Sequence, residues 1–222
     1  MSDMSGRAWE VSRKIIRNYS DKYANFAAIM DINGKRIILG SNSPRRKELL
    51  AGLDIEFTVD TGNNFAEVYD PGTLQERIPE VLSEGKSYGF HRELEKDEIL
   101  ITSDTLVLCE GRVMGKPHSR EEAADMLRHL SGKAHKVITA VTVRDAARHM
   151  TVSDTAVVHF KELSDNEIDY YIDTYRPFDK AGAYGIQEWI GYIGIGSIEG
   201  SYFTIMGLPV HLVYELLNKF SI

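Results

Sequence analysis

Cysteine is almost missing from this chain, with Cys109 the only one among 222 residues. A single thiol closes no intrachain disulfide and supplies no cysteine-based zinc site, and such scarcity fits a reducing compartment. Long apolar runs are missing too. No stretch approaches the roughly 18 residues of a membrane span, and no charged-then-apolar leader is present. Positive charge is in deficit, with 26 Lys and Arg against 33 Asp and Glu, for a net charge of −7. An acidic chain is a poor general binder of nucleic-acid polymers or anionic membrane, which need a broad basic surface. These absences predict a cytoplasmic protein whose partners are neither membrane nor nucleic-acid polymer. They also make any local basic cluster informative. The remainder is 43% hydrophobic and 27% charged, ordinary for a globular protein, and the length suits one large α/β domain or two small ones.

Residues 1–30 differ from the rest of the chain. Ile16, Tyr19, Tyr23, Phe26 and Met30 recur at helical spacing, which predicts an amphipathic helix. It would pack on the domain or dock a partner; alternatively Met30 is the true start. From Arg36 onward strand and helix patterns interleave. Arg36–Gly40 reads as a buried strand. Ser43–Ala51 reads as a helix with Ser43 as N-cap and Pro44 at its first position. Ile55–Val59 is a short strand, residues 60–72 a polar loop, and Leu74–Leu94 a helix interrupted near Gly85 or Gly89. Ile99–Thr102 and Thr105–Leu108 are β-rich, and Glu110-Gly111 is placed to turn the chain back. Ser119 and Ser164 cap helices reaching about Leu130 and Thr174, Val137–Val143 and Met150–Phe160 form a hairpin, and Pro209–Phe220 is a closing helix. The pattern predicts an α/β fold, a mixed twisted sheet flanked by helices. No internal repeat is visible.

Four stretches carry chemistry. In "GSNSPRRKELL" a strand runs through a Ser-rich turn into a helix, whose free N–H groups make an anion site. Ser41 and Ser43 add hydroxyls, and Arg45 and Arg46 add planar forks suited to phosphate. Two arginines at a helix start are unfavourable unless an anion opposes them; the alternative is a capped helix with two solvated side chains. Consecutive helical residues point about 100° apart, so the two arginines have different targets. In "ITSDTLVL" Asp104 interrupts an apolar run, where a carboxylate is costly unless paired, hydrogen-bonded or metal-bound. It is a metal ligand, a general base, or a strand-end Asp closing a turn. "GKP" holds Lys116 on a tight turn. "DKAGAYGIQ" offers small residues for close backbone approach, Tyr184 for stacking or hydrogen bonding, and Gln187 as paired donor and acceptor, unless it is only a packed turn. The glycine-punctuated segment 194–207 reads as a mobile flap or a looped hairpin.

In their order, "SNSPRRKELL … SDT … GKP … DKAGAYGIQ … IEGSYFTIMGLP" resembles the Maf proteins, a family named for septum formation and similar in fold to the inosine-triphosphatase group. The resemblance covers roughly residues 36–220 and leaves residues 1–30 outside, so residues 31–222 are expected to be the Maf-like domain. It implies a nucleoside triphosphate pyrophosphatase, which uses water and a divalent metal to cut between the α and β phosphates. Position by position, it implies that Ser41, Arg46, Lys86 and Lys116 bind substrate and that Asp104 is the proton acceptor. "AGAYGIQ" resembles the branch acting on dTTP and UTP, with Arg45, Thr105 and Gln187 as specificity residues. Gly40 stands where Ala is common, and Thr204 where the family often has Asn.

With that resemblance in view, the anion facing Arg45 and Arg46 is expected to be a triphosphate tail, gripped by Arg46, Lys86, Lys116 and Lys180. Asp104, as base or metal ligand, and Glu67, as a second ligand, offer the hard oxygens that suit Mg²⁺ or Mn²⁺. Modified pyrimidine nucleotides would fit the same chemistry. Two other readings are a broader house-cleaning nucleotide pyrophosphatase and a non-catalytic nucleotide-binding regulator of cell division. The resemblance leaves room for a homodimer.

Overall fold

Apolar segments alternating with capped helices fold into one mixed sheet with helices on both faces. The computed structural model describes residues 34–220; the helix expected within 1–30 lies outside them. The elements are β1 (Arg36–Leu39), α1 (Pro44–Ala51), β2 (Phe57–Val59), α2 (Ile78–Tyr88), β3 (Glu98–Cys109), β4 (Arg112–Met114), α3 (Arg120–Leu130), β5 (Ala134–Arg144), β6 (His149–Phe160), α4 (Asp165–Tyr175), α5 (Trp189–Gly194), β7 (Ile195–Glu199), α6 (Tyr202–Met206) and α7 (Val210–Phe220). Among the described residues the sheet has seven strands in the order β2-β1-β3-β5-β6-β7, with β4 also paired to β3. β1 runs parallel to β2 and β3; the remaining pairs are antiparallel.

The helix starts are set by local sequence. Ser43 accepts from the Arg46 N–H at 3.4 Å with Pro44 in the first turn. Ser119 accepts from the Glu122 N–H at 3.1 Å, and Ser164 and Glu167 form a reciprocal capping box. Each cap contributes about 1 kcal/mol. One face of the sheet packs Leu106 and Ile138 against Ile78 and Leu82 of α2. The larger core on the other face gathers Leu127, Leu130, Tyr171, Leu216 and Phe220 from three helices.

The feature that makes a site is a split along one edge of β3. Leu100 and Ile101 pair with β1 on one side and β5 on the other. Val107 and Leu108 pair with β4 and β5. Between them, Thr102–Leu106 pair with β5 alone. There β1 has left the sheet toward α1, its last tie being the Gly40 N–H on the Ile101 carbonyl at 2.9 Å. A crevice at the carboxyl end of parallel strands, where neighbouring connections diverge, is where α/β sheets bind ligands. Asp104 sits in the middle of that gap.

Several elements differ from the sequence expectation. The two β-rich runs around Asp104 form a single strand, so Asp104 closes no turn. The helix expected to reach Leu94 stops at Tyr88, with Gly89 as its C-cap. A Cβ on Gly89 would lie 2.5 Å from Phe65 Cβ, so this end of the helix is covered by the preceding loop. Segment 194–207 is neither a flap nor a hairpin. It is the edge strand β7, a turn through Gly200 at φ +96°, and α6.

His135 gives the fold a pH dependence. It lies on β5, 2% exposed, with Nε2 2.8 Å from the Tyr184 hydroxyl and edge-on to the Phe160 and Tyr184 rings. Burial, helped by the charge of His159, lowers its pKa from 6.5 to about 4. The unfolded chain takes up this proton near 6.5 and the folded chain only near 4, so stability is lost as pH falls through that window. The shift corresponds to roughly 3 kcal/mol in the limit. Denaturation of the parent and of His135→Gln at successive pH values between neutral and about 4.5 is expected to show the steeper loss in the parent. Parallel curves would mean that the folded state takes up this proton at no cost.

Candidate active site

The two arginines of α1 take different partners, as their angular offset requires. Arg46 donates through Nε to the Gly207 carbonyl at 2.8 Å, through NH2 to Thr105 Oγ1 at 3.2 Å and through NH1 to Ser41 Oγ at 3.4 Å. Burial lowers its pKa, opposed chiefly by the charge of Asp104, and a guanidinium stays protonated regardless. Arg45 turns instead to Asp179, with NH1 2.8 Å from Oδ2. Gly207 holds φ +103° at the end of α6, which turns its carbonyl toward both Arg46 and Ser103 Oγ, the latter at 3.2 Å.

Side chains alternate along β3, and this sorts the chemistry by face. Thr102 and Asp104 point to the α2 face. Thr102 Oγ1 donates to the Ser83 carbonyl at 2.8 Å, and Lys86 Nζ donates to Asp104 Oδ1 at 2.5 Å. Ser103 and Thr105 point the other way, toward Gly207 and Arg46. Asp104 is 9% exposed, and its charge is compensated by the ammonium in the last turn of α2. The same ammonium lies 3.1 Å from Glu67 Oε1. Glu67 reaches it because Phe65 is seated flush on α2. A Cβ on Gly85 would lie 2.3 Å from Phe65 Cζ, so Phe65 fills the space on both glycines flanking Lys86. Asn63 completes the clip, donating to the Lys86 carbonyl at 2.6 Å.

Lys116, on the loop after β4, is exposed and lines the same cleft, with no ion pair to another described residue. Lys180, expected among the phosphate ligands, also lines the cleft, with its ammonium ion-paired to two carboxylates. Its Nζ lies 2.7 Å from Asp179 Oδ1 and 3.0 Å from Glu188 Oε1, with the side chain 8% exposed. Tyr184 also lines the cleft. Its ring is buried, and its hydroxyl is taken by His135, so the aromatic residue of "AGAYGIQ" anchors that segment to the core. Gln187 borders the cleft, and its Oε1 is buried without a hydrogen-bond partner among the described residues. The Thr105 hydroxyl is engaged by Arg46 and, at 3.0 Å, by Thr139, and Arg45 by Asp179, so neither orients the Gln187 amide.

Ser41, Arg45, Arg46, Glu67, Lys86, Asp104, Thr105, Lys116 and Gln187 therefore all line one cleft of roughly 530 Å³, a size ordinary for small-molecule sites. Sequence reasoning missed Asp179, Glu188, Tyr171 and the Gly207 carbonyl. The "GLP" after α6 was the only local sign of the last. The donor set fits a divalent cation. Carboxylate oxygens of Asp104 and Glu67 both lie within 3.1 Å of one point, the Lys86 nitrogen. Mg²⁺ is commonly held by one or two carboxylates with substrate phosphates completing its shell. Among the described residues a group of three potential metal ligands occurs only at Cys109, Glu110 and His129. Burial raises the Cys109 thiol pKa, which disfavours the thiolate a metal would need. No helix among the described residues is long and apolar enough to cross a membrane.

The profile of the Maf-like protein family matches residues 36–220. A dTTP/UTP pyrophosphatase of Porphyromonas gingivalis is 49% identical over 188 residues, covering 84% of this chain and 94% of that protein. One from Phocaeicola vulgatus is 51% identical over 185 residues, covering 83% and 95%. One from Flavobacterium johnsoniae is 43% identical over 183 residues, covering 82% and 94%. Among solved structures, a HAM1 protein from Coxiella burnetii superposes with a TM-score of 0.37 at 12% identity, covering 57% of this chain and 73% of that one.

Proposed function

The chain belongs to the family of Maf-like proteins, and from that premise we propose that it hydrolyses dTTP and UTP to the nucleoside monophosphate and pyrophosphate. The observation that carries the reading is Asp104, a carboxylate in the split of the sheet, faced by Lys86 on one side and by the Arg46–Ser41 cluster of the α1 N-terminus on the other. Phosphoryl transfer needs positioning and charge neutralisation more than covalent chemistry. Ser41, Arg46 and the first N–H groups of α1 cradle phosphate oxygens, and Lys116 approaches the tail from the facing loop. Asp104 accepts the proton of the attacking water, with Lys86 positioning its carboxylate. Mg²⁺ or Mn²⁺ held by Asp104 and Glu67 would supply further charge neutralisation on the phosphates.

Gln187 reads the base. Thymine and uracil present an N3–H donor beside an O4 acceptor, and a side-chain amide matches both. Cytosine reverses the pair. The partnerless Oε1 of Gln187 supports the reading, because a buried acceptor gains most from a ligand donor. Each polar group left unpaired by the wrong base costs roughly 1–3 kcal/mol, or about 5- to 150-fold.

Pyrophosphate release with Mg²⁺ or Mn²⁺ is therefore expected to be efficient on dTTP and UTP and at least about tenfold lower in kcat/KM on dCTP and CTP. Gln187→Glu is expected to erode that preference, because a carboxylate cannot donate to O4. Equal rates on dCTP and dTTP by the parent would contradict base reading by Gln187 and favour a broader house-cleaning activity.

A further inference from the structure

Gln187 discriminates only if its amide is held in one place, and a continuous chain of charged and polar groups runs from the wall of the cleft to the turn that carries it. Arg45 NH1 donates to Asp179 Oδ2 at 2.8 Å. Asp179 Oδ1 accepts from Lys180 Nζ at 2.7 Å, and the same ammonium reaches Glu188 Oε1 at 3.0 Å. Glu188 Oε2 accepts from the Tyr171 hydroxyl, and that hydroxyl oxygen accepts the Gly185 N–H at 3.0 Å. The chain starts at one residue bordering the base side of the cleft and ends on the backbone two residues before the other. Packing leaves that backbone no slack. A Cβ on Gly185 would lie 2.9 Å from Glu188 Cδ, and one on Gly191 would lie 1.8 Å from the Ile186 carbonyl oxygen. Tyr171 is fully buried on α4, and neither it nor Glu188 lines the cleft.

We propose that Tyr171 and Glu188 are positioning residues for base selection. They lock the Gly185–Glu188 turn that carries Gln187 and couple it through Lys180 and Asp179 to Arg45, so that the amide and the guanidinium keep a constant separation. The inference rests on the base-reading role proposed above for Gln187. Selectivity is then set partly from α4, outside the substrate's reach. The phosphate grip of Arg46 and Lys116 and the Lys86–Asp104 pair share no hydrogen bond with this chain of groups and stay independent of it.

The test uses Tyr171→Phe, which removes one hydroxyl and keeps the ring, and Glu188→Gln, which keeps volume and removes the charge facing Lys180. For each, kcat/KM is measured on dTTP and dCTP, and inhibition by inorganic pyrophosphate reports the phosphate side alone. The dTTP-to-dCTP ratio is expected to fall about three- to tenfold, the worth of one hydrogen bond, with pyrophosphate inhibition unchanged. A retained ratio in both variants overturns the proposal. So does a loss of pyrophosphate inhibition in step with the ratio, which marks general loosening. Should Tyr171→Phe fail to fold, Glu188→Gln decides alone. A parent enzyme with no preference between the two nucleotides would remove base reading by Gln187 and the clamp with it. A preference in the parent that both variants keep would remove only the clamp.

Discussion

Asp104→Asn is expected to lower turnover on every accepted nucleotide by roughly 10²–10⁴, the usual worth of a general base, without unfolding the protein. The side chain keeps its shape. The strand is held through backbone pairing with Ala140, and an amide oxygen can still accept from Lys86. What is lost is the negative charge and the proton-accepting lone pair at the open edge of β3. The defect belongs in kcat rather than KM, because Ser41, Arg46 and Lys116 still hold the phosphates. Single-turnover kinetics beside a thermal melt separate the two effects. Near-normal turnover in a folded Asn variant would make Asp104 a structural partner of Lys86 and nothing more.

Arg46→Ala is expected to cost on the order of 10²–10³ in kcat/KM, since hydrogen bonds to a charged group are worth about 1.5–3 kcal/mol each and more than one is lost. The same factor should apply to dTTP, UTP and any poorer substrate, because phosphate contacts ignore the base. Arg46→Lys should not restore activity. One point charge cannot reach Gly207, Thr105 and Ser41 together as the planar fork does. Lys86→Ala and Lys116→Ala are expected to share the base-independent pattern. The measurement is kcat/KM across the nucleotide panel. A loss confined to one base would move Arg46 from the phosphate side to the base side.

Much of this site was legible because its signals are local. A Ser–x–Ser–Pro before a helical run caps α1 wherever the chain goes next, and a carboxylate inside an apolar strand announces itself by its cost. The resemblance to the Maf proteins supplied the roles of the basic residues. What remained hidden depends on contacts distant in sequence. Nothing about Phe65 says that it seats on Gly85 and Gly89, yet that contact brings Glu67 to Lys86. Lys180 reads as one more cation of the cleft, and no local pattern shows that Glu188 stands beside its ammonium or that Glu188 is in turn taken by Tyr171 of α4. Thr105 was legible in principle. With Asp104 facing α2, strand alternation puts its neighbour on the Arg46 face. The edge strand β7 was obscured by Gly196 within it, Gly194 and Gly200 at its ends, and its single-sided pairing, which weaken the alternation that marks a strand.

The most direct test of the whole account is the identity of the two products. Phosphorus NMR of a dTTP reaction run to completion with Mg²⁺ should show pyrophosphate and dTMP in equal amounts, with no dTDP at any time point. Orthophosphate and dTDP would place the cleavage at the terminal phosphate and contradict the pyrophosphatase assignment, as would an unchanged spectrum of dTTP.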